Sequence, residues 1–223
     1  MKWPFALVGI LTALGEANLD FVTLNVPRGN YITEADATLV QGDLPNPIAG
    51  DVAVWSAILM DGKADFLQGV SENAKSSPYC NDGGMQWCNF AYTLPSSFNP
   101  TVGTPVGSFP GSRVRTHYKL NTSTQKWDQD LYVDGVLKSS VSTSQGQKGR
   151  IFYISIECAA GRCSPAPAHS WENVSIVLNK SDPSFKHGGN WAAGATGGVM
   201  STPDNGKTWN FTMLDIPTIS SGF

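Results

Sequence analysis

A chain of 223 residues with 41% hydrophobic and 15% charged side chains is long enough to bury one sizeable core. Its net charge of −3, pI near 5.5 and scattered Lys and Arg exclude the clustered basic footprint that a nucleic acid requires. No stretch approaches the roughly 20 apolar residues of a membrane-spanning helix, so no membrane anchor is expected.

In chain order, the first element is a targeting signal. Lys2 supplies a positive start, residues 5–14 are apolar, and Gly15-Glu16-Ala17 offers the small residues of a cleavage site. Residues 1–17 are therefore expected to be a signal peptide, and 18–223 a single secreted domain. Beyond it, short runs rich in Val, Ile, Phe, Tyr and Trp alternate with Gly, Pro, Asn and Asp clusters. That period predicts an all-β, two-sheet antiparallel β-sandwich.

The strand Val54-Trp55-Ser56-Ala57-Ile58-Leu59-Met60 ends at Asp61-Gly62, and Phe66-Leu67-Gln68-Gly69-Val70 follows. Strand alternation puts Phe66, Gln68 and Val70 on one face. An amide among apolar side chains needs a partner, either a backbone carbonyl or a ligand. Asp65 and Glu72 flank this strand. Next, Cys80 and Cys88 bracket the turn Asn81-Asp82-Gly83-Gly84 around Trp87, and Tyr92 follows. Residues 94–111 hold four prolines, too many for a central strand, and suggest a loop or rim. Arg113 and Arg115 read as an exposed strand face. Trp127 precedes a hairpin turning at Asp134-Gly135, a two-residue turn. Ile151-Phe152-Tyr153-Ile154-Ser155-Ile156-Glu157 is a late strand with a single carboxylate, for which an ion pair with Arg162 is the plain structural role. Ser170-Trp171-Glu172-Asn173-Val174 is another strand, and aromatics in the Gly-rich tail after His187 indicate further closing strands.

Cys158 and Cys163 flank a second short loop. Three connectivities are formally possible; local pairs, Cys80 with Cys88 and Cys158 with Cys163, suit an oxidising compartment. Asn121, Asn173, Asn179 and Asn210 stand in glycosylation sequons. There is no Cys-x-x-Cys pair, and His117, His169 and His187 lack ligand spacing, so neither a metal nor another cofactor is expected.

The tryptophan-led strand, its Asp-Gly turn and Leu67-Gln68-Gly69-Val70 resemble the strand pair carrying the active-site glutamine of the fungal glutamic peptidases. Trp127 before a Tyr-Val-Asp-Gly hairpin also resembles concanavalin-like lectin and glucanase sandwiches, which implies a jelly roll. The peptidase resemblance implies a groove in which a glutamate activates water and the Gln68 amide orients it and stabilises the oxyanion. Laying Tyr153 over the family's tryptophan puts Phe152 where that glutamate belongs. Glu157 then replaces the acid only through a bulge at Gly149 or at the strand end.

The catalytic candidates are thus Gln68 and Glu157, with Trp55, Phe66, Trp87, Tyr92 and Phe152 as substrate-binding candidates. Paired carboxylates, including Glu72 or Glu172, would instead suit glycoside hydrolysis, although no Glu-x-Asp-x-x-Glu is present. No Gly-x-Ser-x-Gly elbow supports a serine nucleophile. Three classes follow: a hydrolase, cyclase or isomerase with an altered acid, acting on a small-molecule or peptide ligand; a glycan-binding lectin-like protein; and a secreted structural protein.

Overall fold

The computed structural model describes residues 18–63 and 65–220; the expected signal peptide at 1–17 lies outside the described residues. The segments read as extended form strands. Among the described residues there is no α-helix, only a 3-10 turn at Asp61–Lys63. The strands are β1 (Asn18–Asn25), β2 (Ile32–Val40), β3 (Asp51–Met60), β4 (Phe66–Ala74), β5 (Trp87–Leu94), β6 (Thr101–Val102), β7 (Val106–Ser108), β8 (Arg113–Leu120), β9 (Trp127–Val133), β10 (Val136–Thr143), β11 (Gly149–Ala160) and β12 (His169–Leu178). The tail adds β13 (Thr196–Gly197), β14 (Met200–Ser201), β15 (Thr208–Phe211) and β16 (Leu214–Ile216).

One antiparallel layer runs β1, β11, β3, β4, β5, edged by β6 and β7 from the proline-rich segment. The other runs β10, β9, β8, β2, β12 and is extended by β15 and β16. At one corner Gly149 pairs with both Ile32 of β2 and Met60 of β3. A Cβ there would come within 3.0 Å of the Ile32 and Ile58 side chains, so glycine lets the layers meet.

Local chemistry explains the elements. β9 alternates strictly, with Trp127, Gln129, Leu131 and Val133 buried. Its two-residue turn places Asp134 and Gly135 at φ 49° and 80°, the left-handed pair that a type I′ hairpin demands. β3 is buried along most of its length because both of its faces are covered. Val52, Val54, Ile58 and Met60 join the inter-sheet core, while Ala53, Trp55 and Ala57 join a smaller apolar cluster on the opposite face.

Polar pins cross the core. The Tyr118 hydroxyl of β8 donates to the Ser56 carbonyl at 2.6 Å and accepts from the Gly69 N–H at 2.8 Å. Gln129 donates to the Gln68 carbonyl, and the Ala91 N–H donates to Ser139 at 3.0 Å. A Cβ on Gly69 would lie 1.9 Å from Thr116 Oγ1, so this close approach requires glycine. Gln41, Ser71, Asn89 and Ser108 form a further buried network that ties β7 to the sheet.

On the outer sheet face Arg113 pairs with Glu172 at 2.7 Å and Arg115 with Asp36 at 2.6 Å, as expected of an exposed strand face. Glu34, Asp36 and His117 also meet there, their polar atoms within 4.8 Å of one another. Arg115 and Lys119 bond the same carboxylates, which accounts for them as an ion-pair ladder. Both local disulfides are present, with Cα separations of 5.8 Å for Cys80–Cys88 and 5.7 Å for Cys158–Cys163. Of the sequon asparagines, Asn173 is exposed and Asn121, Asn179 and Asn210 are half-buried.

Removing one pin tests their weight. Tyr118→Phe removes the hydroxyl's bonds to the Gly69 N–H and the Ser56 carbonyl in the core, and should cost about 1–3 kcal/mol in urea denaturation. A change under about 0.5 kcal/mol would show that the pin contributes little to stability.

Candidate functional site

The outer face of the β11, β3, β4, β5 layer forms a groove whose side chains fall into cross-strand rows. Backbone register defines them. Glu157 pairs with Ala53, which pairs with Glu72. Two residues along, Asp20, Ser155, Trp55, Val70 and Phe90 are in line. Two further, Tyr153, Ala57, Gln68 and Tyr92 form the next row. Alanine in the middle of the first and third rows leaves space between the longer side chains on either side.

A cavity of about 720 Å³ opens over these rows, lined by Asp51, Trp55, Gln68, Glu72, Tyr92 and Glu157 among others. At the acid end, Trp55 Nε1 donates to Glu157 Oε2 at 3.1 Å. The Ser77 hydroxyl donates to Glu72 Oε1. Burial pushes the Glu72 carboxyl up to about 7; the Ser77 bond opposes this and the charge of Asp51 adds to it. Burial likewise raises Asp51 to about 6, and one of its oxygens, Oδ1, is buried without a hydrogen-bond partner among the described residues. Glu157 is raised by burial, against the Trp55 bond and with help from Asp51 and Asp20. Burial thus favours the protonated form of each of these groups.

Both disulfides brace this end. Cys88 is the cross-strand partner of Glu72, and its bridge to Cys80 encloses the tip of the loop that carries Ser77 and Tyr79. Cys158 follows Glu157 directly, and the Sγ of its partner Cys163 lies 3.3 Å from the Asp51 carbonyl oxygen. The Tyr79 ring packs on Phe90 at 4.5 Å between centroids.

The expected site residues separate into two groups. Trp55, Phe66, Gln68, Tyr92 and Glu157 all line the groove face. Trp87 and Phe152 do not: both lie in the inter-sheet core, Phe152 fully buried beside Ile58 and Trp87 donating to the Gly42 carbonyl at 3.1 Å. Strand parity is the reason, because the groove takes Cys88, Phe90 and Tyr92 from β5 and Tyr153, Ser155 and Glu157 from β11. The residue across β3 from Gln68 is therefore Tyr153, not Phe152. Glu157 reaches the groove by ordinary alternation and needs no bulge at Gly149.

Gln68 is only 7% exposed, and its side-chain amide has no hydrogen bond to protein among the described residues. It does not share a row with Glu157. Four residues of strand rise separate their rows by about 13 Å, and two strand spacings add about 10 Å laterally. A single water cannot touch both side chains, so the expected Gln68–Glu157 pair is replaced by Glu72 and Glu157 flanking Ala53. Of the other acids, Asp65 accepts from Ser144 away from the groove and Glu172 is on the outer sheet. Glu157 bonds Trp55, and no ion pair joins it to Arg162 among the described residues. Asp51, Tyr79, Phe90 and Tyr153 escaped the sequence reading. Phe90 and Tyr153 fall in the rows of Trp55 and Gln68 and would have been found had the register been known, whereas Asp51 at the start of β3 and Tyr79 in the β4–β5 loop lie outside those rows.

Compared with known proteins, the sequence matches no family model and no curated protein. The structure matches scytalido-glutamic peptidase, solved with a transition-state analogue inhibitor, at 12% identity and a TM-score of 0.54 over 89% of this chain and 98% of that one. It also matches SCP-B, a member of the eqolisin peptidases solved with the tripeptide Ala-Ile-His, at 10% identity and a TM-score of 0.53 over 92% and 99%. A Bacillus licheniformis β-glucanase matches at 12% identity and a TM-score of 0.36 over 94% and 81%. The chain has the β-sandwich fold of the glutamic peptidases.

Proposed function

We propose that the protein is a secreted hydrolase of peptide-like substrates, working through the Glu72–Glu157 carboxyl pair. The observation that carries this reading is their placement: two carboxyl groups on either side of Ala53, both raised in proton affinity by burial and Glu72 up to about 7, at one end of an aromatic groove. Full-length similarity of fold to two peptidases favours an amide as the bond cleaved.

The chemistry follows from the unequal surroundings. Glu72, at about 7, is the proton donor to the leaving nitrogen in mildly acidic solution. Glu157, oriented by the indole N–H of Trp55, is the ionised partner that takes a proton from the attacking water. Afterwards the acid and base have exchanged a proton, and solvent resets them. Gln68 lies too far along the strands to polarise the same carbonyl. Its free amide instead holds the backbone of a bound chain, with the phenols of Tyr92 and Tyr153 in the same row, and so acts as a positioning residue.

A second reading is glycoside hydrolysis by the same carboxyls, favoured by the rings of Trp55, Tyr79, Phe90 and Tyr92 lining the floor. Incubation with a panel of denatured proteins and soluble β-glucans separates the two. Release of peptides supports the first reading; release of reducing ends supports the second.

Three outcomes are expected. Activity should be bell-shaped in pH, with its alkaline limb near 7 from Glu72, and Glu72→Gln or Glu157→Gln should each lower kcat about 10²–10⁴-fold. Retention of full kcat in both variants would sink the assignment. Gln68→Ala should raise KM more than it lowers kcat; the opposite split would place the glutamine at the reacting bond.

The third outcome concerns stability. Glu72 is raised from 4.5 to about 7 on folding, so its contribution is fully present below 4.5 and is lost as pH rises through 7. Buried His169, lowered from 6.5 to about 4, acts in the opposite sense, with stability present above 6.5 and lost toward 4. The difference between wild type and Glu72→Gln isolates the glutamate. The variant should gain about 2 kcal/mol on wild type between pH 4.5 and pH 7.5 in denaturant titrations, and equal shifts at both pH values would show that Glu72 is ordinary.

A further inference from the structure

Past the Gln68 row the groove continues into a second cavity of about 380 Å³, walled chiefly by Trp55, Leu59, Phe66, Leu94, Phe98 and Tyr153. Three of its rings stand nearly at right angles. Trp55 meets Phe66 at 90° and 5.4 Å, Tyr153 meets Phe66 at 86° and 5.9 Å, and Trp55 meets Tyr153 at 70° and 6.5 Å. Phe98, 62% exposed on the proline-rich loop, closes one side. Its N–H is tied to the Pro95 carbonyl at 2.9 Å.

The rim of this box is not apolar. Asp20 lines it from β1, just before the bulge between Asp20 and Val22. No ion pair involves Asp20 among the described residues. Asn18 adds a buried side-chain oxygen that no donor reaches among the described residues. Across the two cavities the described lining residues include four carboxylates, Asp20, Asp51, Glu72 and Glu157, against one cation, Lys75.

We propose that this box is a subsite for a basic side chain of the substrate, Lys or Arg. The methylene stem lies among the rings and the cationic head sits at Asp20. The inference rests on the groove being the substrate-binding face. A leucine or phenylalanine side chain would fill the ring-lined space, but it would strip water from the Asp20 carboxylate and the Asn18 oxygen without giving either a partner. A lysine or arginine supplies donors to both and interacts favourably with the ring faces.

The test reads binding rather than turnover. Three synthetic hexapeptides, identical except for lysine, norleucine or phenylalanine at one central position, are titrated calorimetrically into the Glu157→Gln protein at low ionic strength. The lysine peptide should bind about 10-fold more tightly than the norleucine peptide. Asp20→Asn should reduce that ratio to about twofold while leaving norleucine binding unchanged. Phe98→Ala, a change at an exposed loop residue, should weaken the lysine peptide about threefold. Equal or tighter binding of norleucine or phenylalanine, no binding of any peptide, or a lysine preference that survives Asp20→Asn would each overturn the proposal. A lysine preference in a protein whose wild-type form cleaves nothing would uphold the subsite while refuting the hydrolase.

Discussion

The groove depends on hydrogen bonds that cross the hydrophobic core. Its floor is made of β4 and β5, and at Gln68, Gly69 and Ala91 the backbone bonds to side chains of the opposite sheet rather than relying on strand neighbours alone. Tyr118 makes two such bonds. Its hydroxyl is fully buried and sits between the Gly69 N–H and the Ser56 carbonyl, on two strands that pair at that position. Buried polar groups are costly unless paired, so each pin binds the two sheets at one relative position. That position sets the height of Gln68 in the groove. Gly69 is the geometric condition, since any side chain there would collide with Thr116.

A floor anchored from beneath can present unfavourable groups on its upper face. Asp51, Glu72 and Glu157 share a partly buried end of the groove with little positive charge nearby, and burial raises the proton affinity of each. The two disulfides staple the loops beside these acids, so the walls that exclude water from them are held covalently. Away from the acids the face becomes aromatic, and the polar amide of Gln68 marks the transition. One concave surface thus carries proton chemistry at one end, an amide and two phenols in the middle, and an aromatic box at the other.

Much of the architecture was legible from local patterns. The alternation in β9, the Asp134-Gly135 turn and the spacing of the cysteines each state a local geometry, and the structure has all three. The short motif around Gln68 pointed to the fold that the glutamic peptidases share. Assigning faces was less secure. Placing Phe152 at the groove required knowing how β11 lies against β3, and a shift of one residue in that register exchanges core for groove along the whole strand. Trp87 was misassigned for the same reason, because an indole one residue before a half-cystine reads equally well on either face.

The sequence by itself determined the strands, the turns, the paired cysteines and which residues alternate together, because period-two patterning and turn chemistry are properties of neighbours along the chain. Only the tertiary structure decided which alternating set faces the groove and which acids share a row. Glu72 and Glu157 are 85 positions apart, and they flank Ala53 through two strand pairings that long-range packing selects. The elevated proton affinities have the same origin, since desolvation exists only once other strands and loops have covered the carboxyl groups.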